Sequence, residues 1–517
     1  MTPLGGLDAL FLHLETPATP MHVGALNLLD APAGTADLFG AIRRHVEARL
    51  SSSPVFTRRL LQAPLAIANP VWVDADDVDL DYHLRRVRLP APGTQAELDA
   101  VVAKLHAQRL DRRRPLWQFF LIEGLADGSC AFYSKIHHAA VDGAAGVALA
   151  QVLLDTSPTS PPADSTAPIR RIAPAEPGTA RVLGTVLAQN GGAVLRLLQQ
   201  LPSLARGALG LLRGGRSGVL AEWARHFELA PSTVFNRAID ARRSIATVSA
   251  SLAEVRAIAE AFEVTVNDVV LAVVGGALRR YLQACRELPA EPLLAAMPIS
   301  LRDSGDTRMN TQAWMMQANL ATHIADPVER LLAVHVATAA AKSMTRQMRP
   351  ALGLSLPSLG LPWLLSSAAA LYGTAGLAER LPSLANVVVS NVPGPPVPLY
   401  LACARLRSYW PLSIVEHGLG LNITVMRYVD ALDFGIVAAH RQVPDLALLT
   451  QAMREAIVEL HTAATSTPPP ATARRRKRAP ADKAPPAPKS ARGGRSRKAA
   501  ARSTAARTPR GGRGNGN

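Results

Sequence analysis

Residues 130–154 read CAFYSKIHHAAVDGAAGVALAQVLL. An aromatic and aliphatic run suited to a pleated, half-buried surface ends in two histidines. Asp-Gly follows, and then an alanine- and leucine-rich stretch with helical habit. The motif therefore lies where a strand gives way to a helix, which fits a mixed α/β fold. In extended backbone successive side chains point to opposite faces, so only one of His137 and His138 can look into a given cleft.

The same alternation runs through the first part of the chain. Strand-like HVGALNLLD (from His22) is followed by helix-like TADLFGAIRRHVEARL (from Thr35) and AELDAVVAKLHAQRL (from Ala96). A Pro-, Ser- and Thr-rich stretch from Ser157 reads as a linker. Beyond it, Val194, Leu197, Leu198, Leu201, Leu204, Ala208, Leu211 and Leu212 recur at helical spacing with Arg196, Arg206, Arg213 and Arg216 between them. Either a surface helix packed on a domain or an interfacial helix with arginines near lipid headgroups has this pattern.

A second α/β unit opens with SLAEVRAIAEAFEVTVNDVVLAVVGGALRRYL from Ser251, read as a helix, a short turn and a long apolar helix. NVVVSNVPGPP reads as a buried strand ending in a turn, LNITVMRYVDALDFGIVAAH as a hairpin about Asp430, and DLALLTQAMREAIVELHTAA as a closing helix. The expected division is an N-terminal domain at 1–156, a linker with a basic amphipathic helix at 157–230, a C-terminal domain at 231–465 and a disordered tail at 466–517.

The net charge of +16 suggests a nucleic-acid binder until it is located. From residue 466 onward there are 15 Lys and Arg against one acid, Asp482, while residues 1–465 hold 41 basic and 39 acidic residues. The body is nearly neutral. The tail is too poor in apolar residues to fold alone, and a polycation of this kind binds any polyanion, an anionic membrane or DNA alike.

Cys130, Cys285 and Cys403 stand at no metal-ligand spacing, and an odd count suits no disulfide framework, so a reducing cytosol is expected. The N-terminal MTPLGGLDALFLHLE lacks a basic n-region and carries Asp8 and Glu15, unlike a secretory signal. The uncharged run 351–378 would reach across a bilayer as one helix, but Pro357 and Pro362 break it, so a buried or membrane-surface segment is expected.

Adjacent histidines in a strand cannot converge on one ion, and neither H-E-x-x-H nor a cysteine cluster accompanies them, which argues against zinc. A core histidine satisfied by backbone suits His137, and catalysis is the expectation for one member of the doublet. Asp142 has the character of an N-cap and Gly143 lets the chain turn. Neither a P-loop nor a G-x-S-x-G elbow is present, against ATP-driven ligation and serine hydrolysis.

H-H-A-A-V-D-G matches the H-H-x-x-x-D-G signature of CoA-dependent acyltransferases and condensation domains. LDALFLHLETPATPMHVGAL, RRRPLWQFFLIEGL, TVNDVVLAVVGGALRRYL, MPISLR, VVVSNVPGPPVPLY and GLGLNITVMRYVDALDFGIVA follow in an order that resembles bacterial wax ester synthase/diacylglycerol acyltransferases, over roughly residues 5–460. One departure is local: RMNTQAWMMQANLAT offers Asn310 where that family often shows Gly-Asn before a Pro-rich stretch.

The resemblance implies two chloramphenicol-acetyltransferase-like domains with the active site in a tunnel between them, no cofactor, and acyl-CoA as co-substrate. By the family's pattern, His138 is the general base that takes a proton from a diacylglycerol or long-chain alcohol, and His137 supports it. Asn267 in VNDVV is the candidate oxyanion donor or, alternatively, the cap of the helix starting there. Arg302 is a candidate partner for Asp142. Pro115, Leu116 and Trp117 match a Pro-Leu-Trp motif and are expected to pack or to shape the tunnel. The implied location is cytoplasmic, at the inner membrane face or lipid inclusions, with nucleic acid reached only through the tail. Two other readings fit the sequence: condensation from carrier-bound pantetheine, and a non-catalytic lipid-granule or nucleic-acid-binding protein acting through its tail.

Overall fold

The computed structural model describes residues 1–4, 6–32, 34–62, 69–75, 77–141, 149–159, 178, 184, 228–300, 313–348 and 383–466. Asp142, Gly143, Arg302, Asn310, the Leu/Arg-rich stretch 194–216, the run 351–378 and the tail lie outside them. Met1–Pro468 forms one compact unit. Its architecture is mixed α/β, built on two large sheets and a small one.

In the first large sheet the neighbours run, in order, Tyr400–Leu401, Ala404–Leu406, His22–Asp30, Cys130–His137, Trp117–Glu123 and Leu84–Arg88, with Trp410–Leu412 also pairing His22–Asp30. In the second they run Ala313–Asn319, Leu294–Ser300, Val387–Val392, Leu421–Tyr428, Ala431–Ala439 and Arg243–Ser251. The strands of the expected hairpin pair from Leu421↔Ala438 to Tyr428↔Ala431. Val429 takes a φ of +50° in its tight turn.

The second sheet is covered by the helices Leu252–Ala261, Val266–Ala284, Pro327–Met348 and Leu446–Ser466. Leu252–Ala261 and Val266–Ala284 meet at a 101° bend. From Asp268 to Leu278 every residue of the longer helix is buried, so its apolar run is core. Among the described residues no single helix is long and apolar enough to cross a membrane.

A division of the chain at residue 231 made no provision for an exchange between its halves. The segment 400–412 leaves the second half and completes the first sheet through Arg405↔Asp30, Leu406↔Leu29 and Trp410↔Leu26. Ser408 Oγ accepts the Leu28 N–H at 3.1 Å. Asp155 and Tyr400 form a further antiparallel bridge. Leu26 and Leu28 share a core with Trp410, Val437 and Ala439, so residues from both halves bury one another.

Candidate active site

The motif strand Cys130–His137 lies between His22–Asp30 and Trp117–Glu123, with His137 opposite His22 and Ile136 opposite Trp117. The strand ends at the doublet. His138 N–H donates to Met21 O at 2.9 Å, and the Ala140 N–H returns to His137 O at 2.9 Å to start the turn.

The two histidines part company here. His137 is fully buried (0% exposed), whereas His138 is only partly covered and stacks on Phe11, with ring centroids 3.8 Å apart and 19° between planes. Phe11 comes from the helix Gly6–Leu14. His137 Nδ1 accepts the Ala139 N–H at 3.0 Å, which assigns its proton to Nε2. Burial lowers the His137 pKa, so the ring is neutral at pH 7.

His137 Nε2 faces Glu15 Oε1 at 3.5 Å. Arg112 Nε and Nη2 donate to Glu15 Oε2 at 3.0 and 2.6 Å. Burial by itself would raise the Glu15 carboxyl, but the His137 ring and the Arg112 guanidinium outweigh it and hold the group at about 2. We assign the negative charge to the pairing with Arg112, because His137 is neutral.

Lys135, on the same face of the strand as His137, is also fully buried. Its Nζ donates to Leu105 O and Gln108 O, each at 2.9 Å, at the C-terminal end of the helix Gln95–Ala107. A helix C-terminus carries partial negative charge and welcomes a cation. Burial nevertheless brings the ammonium down to about 7. His106 Nδ1 contacts the Tyr133 hydroxyl at 2.7 Å and its ring stands edge-on to His22, with burial lowering the pKa of both rings.

The Pro-Leu-Trp segment supports this from the other side. Leu116 O accepts the His137 N–H at 3.0 Å. Trp117 is fully buried, donates Nε1–H to Phe56 O at 3.1 Å and stacks on His83 at 4.2 Å. Pro115 O accepts the Trp117 N–H at 2.9 Å. All three residues hold the sheet beneath the doublet.

Asn267 belongs to the second sheet's side of the molecule. The helix Val266–Ala284 is capped by Thr265, whose side chain accepts the Asp268 N–H, while Asp268 reaches back to the Thr265 N–H at 3.0 Å. The alternative reading of Asn267 as the cap is therefore corrected. Its Oδ1 accepts from Asn391 Nδ2 at 3.2 Å, and its buried Nδ2 makes no hydrogen bond among the described residues. Asp268 is clamped in turn by His335 Nδ1 at 2.8 Å and Thr338 Oγ1 at 2.6 Å.

Sequence reasoning missed Glu15, Arg112, Phe11 and Lys135. The available signal was two charged residues, Glu15 and Lys135, inside otherwise apolar motif segments, where a lone charge is retained only with a partner; Arg112 stands in the charged run RLDRRR and carried no such signal. Among the described residues no group of three or more His, Cys, Asp and Glu could hold a metal ion.

A histidine doublet at the end of an interior strand, in a body with two large sheets, fits the CoA-dependent acyltransferase fold. The family model described as wax ester synthase/diacylglycerol acyltransferase catalytic domain matches residues 4–270, and the WS/DGAT C-terminal domain matches 311–461. The chain belongs to the wax ester synthase/diacylglycerol acyltransferase family of O-acyltransferases.

Two Mycobacterium tuberculosis proteins assigned as diacylglycerol O-acyltransferases are 38% and 35% identical to it, covering 88% of this chain and 99% and 98% of their own. The wax ester synthase/diacylglycerol acyltransferase of Marinobacter aquaeolei VT8 superposes with a TM-score of 0.65 at 31% identity, over 90% of this chain and 100% of that one. The first condensation domain of the calcium-dependent antibiotic synthetase, at 15% identity and a TM-score of 0.51 over 90% and 96%, shares the fold.

Proposed function

We propose that the protein moves a fatty acyl group from acyl-CoA to the hydroxyl of a diacylglycerol or a long-chain alcohol, giving triacylglycerol or wax ester, with His138 as general base. The observation that carries the assignment is the division within the doublet. His137 is sealed and locked into one tautomer, while His138 is only partly covered and stacks on Phe11.

An alcohol is a poor nucleophile at neutral pH, so its proton must leave as the new C–O bond forms. A histidine with a pKa near 6.5 is neutral yet basic enough to accept it, worth roughly 10² to 10⁴ in rate. The alcohol oxygen attacks the thioester carbonyl and its proton passes to His138. The tetrahedral oxyanion then collapses, the C–S bond breaks, and the proton leaves with the CoA sulfur as thiol. No acyl-enzyme forms.

The oxyanion needs a donor, and the Asn267 amide suits it, since Asn391 engages its oxygen and leaves Nδ2 without a hydrogen bond among the described residues. Asp142 and Gly143 are proposed to shape the turn after the doublet, with Arg302 pairing Asp142. The site lies between the two halves, and the protein works in the cytoplasm at the inner membrane face or on lipid inclusions. There the basic tail holds it by charge, with DNA as a competing polyanion.

Incubating purified protein with acyl-CoA and either hexadecanol or diacylglycerol, with thiol release and neutral-lipid product followed together, tests this reading. His138→Ala should abolish ester formation with the fold intact, and turnover retained in that variant would remove the assignment. Strict dependence on a carrier protein would instead favour condensation. Truncation after Thr465 should spare turnover and lose attachment to anionic vesicles.

A further inference from the structure

Glu15 connects several of the groups that place the doublet. Its Oε1 faces His137 Nε2 and also accepts the Met21 N–H at 3.3 Å, while Met21 O receives the His138 N–H at 2.9 Å. Its Oε2 is forked by Arg112, whose Nη2 donates as well to Leu12 O at 2.7 Å. Leu12 neighbours Phe11 in the helix Gly6–Leu14, the residue stacked on His138. One buried carboxylate thus touches the ring of His137, the backbone that holds His138 and, through Arg112, the helix that lies against it.

We infer that Glu15, fixed by Arg112, is the positioning residue that sets the tautomer of His137 and thereby the orientation of His138. The inference rests on the reading of His138 as the base. A neutral imidazole has one N–H. In His137 it must sit on Nε2, because Nδ1 is committed to accepting from Ala139, which follows His138 in the turn. Among the described residues Nε2, which is buried, has no hydrogen bond, and Glu15 Oε1 is an anionic group facing it.

If the proton moved to Nδ1, the Ala139 N–H would lose its acceptor and the turn carrying His138 would be free to shift. A carboxylate at Nε2 prevents that by favouring a proton on the nearer nitrogen. Glu15 touches no reacting atom in this scheme. The Glu15 carboxylate in turn favours the charged form of Lys135, on the same strand face.

The test compares wild type, Glu15→Gln and Glu15→Asp in the full chain with ¹⁵N-labelled histidine. In wild type, His137 should show the Nε2–H tautomer by its nitrogen shifts, identified by the signal missing from His137→Gln. Glu15→Gln, similar in shape but uncharged, should populate both tautomers. Its kcat should fall about 10- to 100-fold, as when the partner of a functional histidine is removed, with KM little changed. Glu15→Asp should restore the tautomer and most of the turnover.

A Glu15→Gln protein with the wild-type tautomer overturns the inference, as does a loss of turnover that follows melting temperature rather than tautomer across the series. The nitrogen spectra are read without substrate. Absence of turnover in wild type would therefore count against the proposed function and leave the tautomer result standing.

Discussion

At the scale of single residues, the site depends on charges that water cannot reach. The Glu15 side chain is about 1% exposed, and its carboxyl titrates at about 2 against a reference of 4.5. A depressed carboxyl pKa contributes stability that is present above the unfolded value and is lost as pH falls from about 4.5 towards 2. That shift corresponds to at most about 3 kcal/mol, so the melting temperature should drop over this range in wild type and less steeply in Glu15→Gln. Thermal unfolding followed by circular dichroism at several acidic pH values measures it, and equal slopes would show that Glu15 is not ionised in the fold. At Asn267 the proposed role makes a kinetic prediction. Asn267→Ala should lower kcat by about 10² to 10³ with KM nearly unchanged, whereas a residue that only packs would change Tm and leave kcat.

At the scale of elements, close approaches decide what the sequence tolerates. Gly435, in the strand Ala431–Ala439, lies under Pro411 of the segment that crosses to the first sheet. A Cβ there would stand 1.8 Å from the Pro411 carbonyl oxygen. Gly435→Ala must push the two strands apart, and a cost of about 1–3 kcal/mol is expected in chemical denaturation. The helix Gln95–Ala107 packs on the strand Arg243–Ser251 of the other half, where Gln95 Nε2 bridges Asp99 Oδ1 at 2.8 Å and Thr247 Oγ1 at 3.3 Å. Burial raises the Asp99 carboxyl to about 7. A raised acid favours the neutral form in the fold, so this contribution to stability is lost as pH rises from about 4 through 7. Asp99→Asn should match wild type in melting temperature near pH 4 and exceed it at pH 8. A constant difference across that range would refute the assignment.

At the scale of the whole molecule, the exchange of residues 400–412 makes the halves interdependent. Without Ala404–Leu406 and Trp410–Leu412, the strand His22–Asp30 has an unpaired edge and an uncovered core face. Residues 1–230 expressed alone should therefore aggregate or remain unfolded, and co-expression with 231–466 should recover a soluble pair. A monomeric, cooperatively unfolding 1–230 fragment would contradict this. This interdependence crosses any boundary drawn along the chain. The linker at 157 and the second α/β unit are local signals, but Leu28 and Ser408 meet across 380 residues and leave no local trace.

Much of the outcome was present in the order of residues alone. Aromatic and aliphatic runs marked the strands His22–Asp30 and Cys130–His137, alternation marked the hairpin Leu421–Tyr428 with Ala431–Ala439, and the period-two rule already separated His137 from His138. Those are properties of neighbours along the backbone. Tertiary structure decided which charges could be buried. Arg112, 97 residues from Glu15, looks like an ordinary surface residue until the fold brings the two together under His137. Lys135 likewise becomes a core residue only because two carbonyls of a helix end happen to face it. A charge enters the interior only with its partner, and the partner is chosen by the fold rather than by distance along the chain.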